Sequence, residues 1–172
     1  MAEPEAMALA TASPAGAPSV RIVLCRGIDD RGLRFFTNYE SRKGLELERN
    51  PLAAVTFLWP VLDQQARVEG RAERVLAAES DAYFASRPRG HQISAWASSQ
   101  SRPVASLETL RQRARELEIE HAGRPVPRPP YWGGYLLRPS AIEIWTRGAD
   151  RLHDRVRYER SGSEWIATRL AP

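Results

Sequence analysis

The sequence predicts an α+β fold, mainly β: a barrel of short antiparallel strands with flanking helices. Three observations predict it. Apolar and polar residues alternate with period two through much of the first 75 residues. Gly, Pro and Asp turn signals divide that stretch into short runs. Helical periodicity is concentrated in the middle of the chain, after which short strand patterns return.

Taken in order, residues 7–12 form a first strand, closed by a Pro14-Ala15-Gly16 turn. Residues 19–24 alternate and are rich in β-branched side chains, with Val20, Ile22 and Leu24 on one face and Arg21 and Val23 on the other. The turn Asp29-Asp30-Arg31-Gly32 leads into a return strand at 33–37, which makes a hairpin with 19–24. Ser41 is placed to cap a helix that carries Leu45 and Leu47 inward and ends at Asn50-Pro51. Residues 53–59 are an apolar strand expected to be buried on both faces. Residues 65–75 alternate again, with Gly70 marking a bulge or a close backbone approach. Helices follow at 79–86, stopped before Arg87-Pro88, at 90–97 and at 106–120. The last has an apolar stripe of Leu107, Leu110, Ala114 and Leu117. Residues 123–130 are a proline-rich connector, and strands at 134–137, 141–145, 156–160 and 165–170 complete the chain.

A chain of 172 residues, 42% of them apolar, fits one domain with a real core. No stretch approaches the roughly 20 apolar residues a membrane helix needs. The opening MAEPEAMALAT has neither a basic nor an apolar leader region, so the protein is expected in the cytoplasm. Cys25 is the single cysteine, so no internal disulfide forms. His91, His121 and His153 lack metal-site spacing, and no metal is expected. The net charge of +4 favours anionic partners. No aromatic–basic motif of the nucleic-acid binders accompanies it, so a small phosphorylated molecule is preferred to nucleic acid. Lys43 is the only lysine among 25 basic residues.

Two blocks concentrate the chemistry. In FFTNYESRKG, residues 35–44, Thr37 and Asn38 end a strand and Ser41, Arg42 and Lys43 open a helix. Free N–H groups at the helix start, two cations and two hydroxyls, with Arg21 from a strand, suit a phosphate dianion. The plain alternative is a cap with solvated cations. In IWTRGADRLHDR, residues 144–155, Arg151, His153 and Arg155 share one face if the segment is extended. Three potentially cationic groups on one face call for an anion. Between the blocks, Tyr83 and Arg87 lie one helical turn apart, and with Arg89 and His91 they form either a second phosphate grip or an exposed helix end. Gln65, Gln100 and Ser101 are the remaining polar candidates.

In this order, EPEAMALAT, RIVLCRG, FFTNYESRKG, QARVEG, YFASRPRGHQISAWASSQS, YWGGY, IEIWTRGADRLHDR and RLAP resemble the pyridoxine/pyridoxamine 5′-phosphate oxidase family over almost the whole chain. The SRK, SRP, QS and RLHDR elements together are its most specific marks. The resemblance implies a single FMN-binding split-barrel domain over residues 1–172, and a homodimer with FMN at the subunit interface. It implies FMN contacts from Arg21, Ile22, Val23, Leu24, Arg26, Phe36, Thr37, Arg42, Lys43, Gln65, Gln100, Ser101, Trp145 and Arg155. Substrate phosphate would be held by Arg26, Tyr83, Arg87 and His91, with Arg151 and His153 beside the reacting ring. The implied reaction oxidises pyridoxamine or pyridoxine 5′-phosphate to pyridoxal 5′-phosphate, with O2 as acceptor and H2O2 as product.

The chain departs from the family pattern at three positions. Arg26 stands where the family usually has Lys, His91 where it commonly has Ser, and Thr146 where it usually has Gln. The sequence also begins where the family's barrel begins, so the usual N-terminal extension that helps cover the active site is expected to be missing. A related oxidase acting on a reduced phenazine precursor and a non-catalytic flavin- or pyridoxal phosphate-binding protein are the alternatives.

Overall fold

The computed structural model describes residues 3–172. Strands β1 (Ala6–Ala12) and β2 (Pro18–Leu24) pair antiparallel around the turn at Pro14-Ala15-Gly16, with Ala6 opposite Leu24 and Ala12 opposite Pro18. The chain then changes partner within two residues. The Cys25 amide bonds back to Glu5 O, whereas the Arg26 amide bonds forward to Arg34 O. The return strand β4 (Gly32–Asn38) therefore pairs with a three-residue β3 (Gly27–Asp29), not with β2. The expected hairpin of 19–24 with 33–37 is corrected accordingly: β2 gives its registered pairing to β1.

Helix α1 (Arg42–Arg49) follows, then β5 (Leu52–Trp59) and β6 (Gln64–Arg74), which pair antiparallel with each other while β5 also pairs with β1. Three helices come next: α2 (Ala77–Ser86), α3 (Arg89–Ala97) and α4 (Leu107–Glu120). The chain closes with β7 (Trp132–Thr146), β8 (Asp154–Ser161) and β9 (Glu164–Arg169), successive antiparallel partners. The nine strands form one sheet in the order β2-β1-β5-β6-β7-β4-β3, with β8 on β7 and β9 on β8. The mainly β, antiparallel α+β fold is what the alternation predicts.

Two compact units emerge. The first holds residues up to Phe35, Glu46–Glu73 and Leu136–Pro172; the second holds Phe36–Leu45 and Arg74–Tyr135. In the first, the inward residues of alternating strands make the core: Met7, Leu9, Val55, Phe57, Val68 and Leu137. In the second, Phe84, Ile93, Leu117, Val126 and Trp132 form a cluster that gathers α2, α3, α4 and the start of β7.

Three burial expectations need correction. Leu45 is 40% exposed while Leu47 is buried, because positions two apart on a helix point about 200° apart. β5 is buried on one face only: Ala53, Val55 and Phe57 are inward, and Leu52 and Leu58 are exposed. Leu107 at the start of the α4 stripe is also exposed, since the cluster is reached only by the later turns.

The strands expected at 134–137 and 141–145 are one, β7, running through Arg138-Pro139-Ser140. Glycines on neighbouring strands make room for that passage. A Cβ at Gly70 would collide with Arg138 O, and one at Gly32, whose φ is +143°, would collide with Leu137 O. Gly70 is thus the close backbone approach its position in an alternating strand predicts.

Candidate functional site

In the second unit, the end of β4 and the start of α1 build a polar cradle. The Asn38 side chain accepts from Glu40 N at 2.7 Å, turning the chain out of the strand. Ser41 Oγ accepts from Gly44 N at 3.3 Å, the expected N-cap bond, and donates to Asn38 O at 2.7 Å. Lys43 is only 8% exposed. Its ammonium donates to Ser41 Oγ at 3.0 Å and to Gln100 Oε1 at 2.8 Å. Thr37 Oγ1 donates to the same Gln100 oxygen at 3.3 Å. Three predicted residues close in sequence, Thr37, Ser41 and Lys43, thus converge with the distant Gln100 at the first turn of α1. Arg42 lies exposed beside them. Ser101, next to Gln100, has a left-handed backbone at φ +70°.

The same unit carries the expected Tyr83–Arg87 pair, set on an aromatic stack that spacing alone did not reveal. The Phe36 and Tyr83 rings stack at 3.9 Å, and Trp132 lies near parallel to both, at 5.7 and 6.2 Å. The Arg87 guanidinium sits 4.6 Å from the Trp132 ring centre, within cation–π range. Arg87 leaves α2 with an extended backbone, and His91 is exposed in the first turn of α3. Arg89 takes the structural role: it donates to Glu118 at 2.5 Å and to the carbonyls of Arg124 and His121.

In the first unit, β6, β7 and β8 carry Gln65, Trp145 and Arg155. Gln65 and Arg67 are two apart on β6, as are Glu143 and Trp145 on β7. Glu143, which composition and spacing did not single out, is only 2% exposed. One of its oxygens accepts from Arg155 Nε at 2.9 Å and the other from Arg67. Burial works against ionisation of Glu143, but the hydrogen bonds from Arg155 and Arg67 outweigh it and hold the carboxyl below its usual range. The next row pairs Glu69 with Arg157, whose guanidinium likewise depresses the Glu69 carboxyl. A signal for Glu143 exists in the sequence: it is the one carboxylate in the apolar run AIEIW, read beside an arginine-rich following strand.

The RLHDR segment is not extended throughout. Ala149–Arg151 is a 3-10 turn in which Asp150 and Arg151 both have left-handed backbones, φ +51° and +64°. The expected common face of Arg151, His153 and Arg155 is corrected, because β8 begins only at Asp154. The anion that alternation called for is, for Arg155, the protein's own Glu143. His153 packs against Trp145 at 4.6 Å, and its Nδ1 accepts from Gly148 N at 3.2 Å. With Nδ1 turned to the Gly148 amide, Nε2 is the ring nitrogen left to meet a ligand. Two consecutive left-handed residues that are not glycine cost about 1–2 kcal/mol each, a strain typical of functional loops.

Arg21 donates to Leu9 O at 3.1 Å and to Thr11 Oγ1 at 2.6 Å, and pairs with the buried Glu46 at 3.4 Å. On the same strand Val20 and Ile22 are 68% and 66% exposed. Val23 and Leu24 are half-buried, and Arg26 pairs with Glu5 at 3.4 Å. Among the described residues no His, Cys, Asp or Glu cluster has metal-binding geometry, and no helix is long and apolar enough to cross a membrane.

Residues 1–121 match the family model described as pyridoxamine 5′-phosphate oxidase, and 132–172 match the pyridoxine 5′-phosphate oxidase C-terminal dimerisation region. A pyridoxine/pyridoxamine 5′-phosphate oxidase of Rubrobacter xylanophilus is 56% identical over 170 residues, covering 99% of this chain and 78% of the relative. One from Cupriavidus taiwanensis is 56% identical over 171 residues, covering 99% and 80%. Among solved structures, PhzG from Burkholderia lata 383, in complex with tetrahydrophenazine-1-carboxylic acid, superposes with a TM-score of 0.93 at 40% identity, over 98% of this chain and 83% of that one. A pyridoxamine 5′-phosphate oxidase-related, FMN-binding protein from Nostoc punctiforme shares the fold, with a TM-score of 0.78 at 19% identity, over 98% and 88%.

Proposed function

The chain belongs to the pyridoxine/pyridoxamine 5′-phosphate oxidase family, and from that premise we propose that it is an FMN-dependent oxidase converting pyridoxamine or pyridoxine 5′-phosphate to pyridoxal 5′-phosphate, with O2 as acceptor and H2O2 as product. The observation that carries the proposal is the convergence of Thr37, Ser41, Lys43 and Gln100 at the start of α1. Amide hydrogens at a helix start and a nearly buried ammonium fit a phosphate monoester. Gln65, Trp145 and Arg155 supply an amide, an aromatic surface and a cation, donors and a face that suit a flavin. The residues present therefore fit FMN. The chain contains no Gly-rich dinucleotide loop that would favour FAD.

FMN held by these residues would supply the redox chemistry, as acceptor of a hydride equivalent from the substrate and donor to O2. The chain's own residues bind and orient. Tyr83 and Arg87, fixed on the Phe36–Trp132 stack, grip the substrate phosphate, with His91 as a further contact. Arg151 is exposed and presented by a strained turn, where it steers the substrate ring. His153, held by the Gly148 N–H and the Trp145 ring, presents its Nε2 edge to the substrate. Holding the reacting carbon in place is worth on the order of 7–11 kcal/mol in favourable cases.

The reading includes a homodimer, supported by the C-terminal match and by the exposed apolar face of β2. A second reading has a specific observation behind it. The likeness to PhzG, with Arg26 and His91 departing from the family pattern, favours a related oxidase acting on a reduced phenazine precursor. The higher identity to the B6 oxidases ranks the first reading above it.

The test is direct. The purified protein should be yellow, and heat should release FMN identified by mass. Anaerobic pyridoxine 5′-phosphate should bleach the flavin. Bleaching by a reduced phenazine precursor instead would select the second reading, and bleaching by neither would mark a binding protein.

A further inference from the structure

Arg155 is held from two sides. Its Nε donates to Glu143 Oε1 and its Nη1 donates to Ala171 O, each at 2.9 Å. Its carbonyl accepts from Leu170 N, also at 2.9 Å. A guanidinium has five N–H donors in a rigid fork. With the Nε and Nη1 directions engaged, the Nη2 edge is what remains to meet a ligand. Glu143 cannot serve as a ligand group itself, since it is buried and both its oxygens accept from arginines. The arrangement is a buried carboxylate between two arginines on neighbouring strands, Arg67 from β6 and Arg155 from β8. It leaves a net positive charge on the sheet and one orientation for Arg155.

We propose that Glu143 is a positioning residue of the cofactor site, fixing Arg155 so that its free edge is presented to the flavin. This rests on the reading of Arg155 as an FMN contact. A carboxylate is needed because only it accepts from both arginines. A glutamine of the same shape would accept from one and turn its own N–H2 toward the other, expelling one guanidinium from its place. The C-terminal segment 169–172 joins the same device through the Ala171 carbonyl, which gives that segment a role beyond closing β9.

The experiment uses FMN-stripped protein titrated with FMN by flavin fluorescence, alongside thermal melting of the stripped protein. Arg155→Ala should weaken FMN by about 10- to 100-fold, the loss of one or two charge-assisted contacts. Glu143→Gln should weaken it by about tenfold or more. The double variant should bind no more weakly than Arg155→Ala alone, because Glu143 acts only through Arg155. Wild-type affinity in Glu143→Gln, or penalties that add in the double variant, would overturn the proposal. Wild-type affinity in Arg155→Ala would overturn it at its premise, a result readable separately. If Glu143→Gln does not melt cooperatively, Glu143→Asp keeps the charge but shortens the reach, and the same non-additivity is required of it.

Discussion

Replacing Lys43 with methionine separates cofactor binding from folding. Methionine matches the stem of lysine and removes its charge. The Lys43 ammonium makes hydrogen bonds at 3.0 and 2.8 Å to Ser41 and Gln100, which favour the folded state. The residue is also only 8% exposed, and desolvating an ammonium costs several kcal/mol. These terms oppose each other in the cofactor-free protein. Its melting temperature should move by no more than a few degrees, since about 1 kcal/mol corresponds to 2–4 °C at this size. FMN has no such compensation. Losing one charge-assisted contact to its phosphate costs about 1.5–3 kcal/mol, or about 10- to 150-fold in Kd. Riboflavin, which lacks the phosphate, serves as the control ligand: its affinity should not change. The assay is fluorescence titration of the stripped wild type and variant with both ligands. FMN affinity within twofold of wild type in a folded variant would refute the phosphate assignment. Equal losses for FMN and riboflavin would refute it as well, by showing that Lys43 shapes the pocket and does not meet the phosphate.

Arg151→Ala and His153→Ala should leave the protein yellow but slow reduction of the flavin by pyridoxine 5′-phosphate in a single anaerobic turnover; wild-type rates in both would make the segment structural. Gly70→Ala should destabilise by about 2–3 kcal/mol or more, read as a lowered melting temperature, because its Cβ collides with a strand carbonyl that cannot move alone. The folded Glu143 carboxyl is depressed below its unfolded value, so its stabilisation is present above the ordinary carboxylate pKa of about 4.3 and is lost as pH falls through the folded value. Calorimetry should therefore show wild type melting above Glu143→Gln at pH 7 and the gap closing below about pH 4; a gap independent of pH would contradict the ion-pair account.

Period-two alternation made β6 legible because a sheet with one buried face enforces it, whereas in β2 the alternating Val20 and Ile22 lie on an exposed face. Pairing partners were less legible. Nothing in RIVLCRGIDD announces that two adjacent amides, Cys25 and Arg26, bond in opposite directions and hand the chain from one strand to another. Pro139 reads as a strand break, yet β7 runs through it beside glycines that make room, and those glycines lie far away in sequence. The RLHDR alternation misled for a local reason: Asp150 and Arg151 adopt left-handed backbones, which residue types other than glycine seldom signal.

The site was most legible where its contacts join residues close in sequence. Ser41 caps a helix and also accepts from Lys43, so its capping signature in sequence marked the cradle as well. Lys43 makes the sharper case. The chain uses arginine at every other basic position, yet here the side chain is nearly buried and must reach two single oxygens, on Ser41 and Gln100, from the first turn of a helix. A compact ammonium with three rotatable donors meets that geometry, and a planar fork built for paired acceptors does not. The lone lysine therefore follows from packing and hydrogen-bond directions at one position. Glu143 was missed for the complementary reason. Its work is wholly long-range, between arginines on two other strands, and leaves no periodic or capping trace of its own.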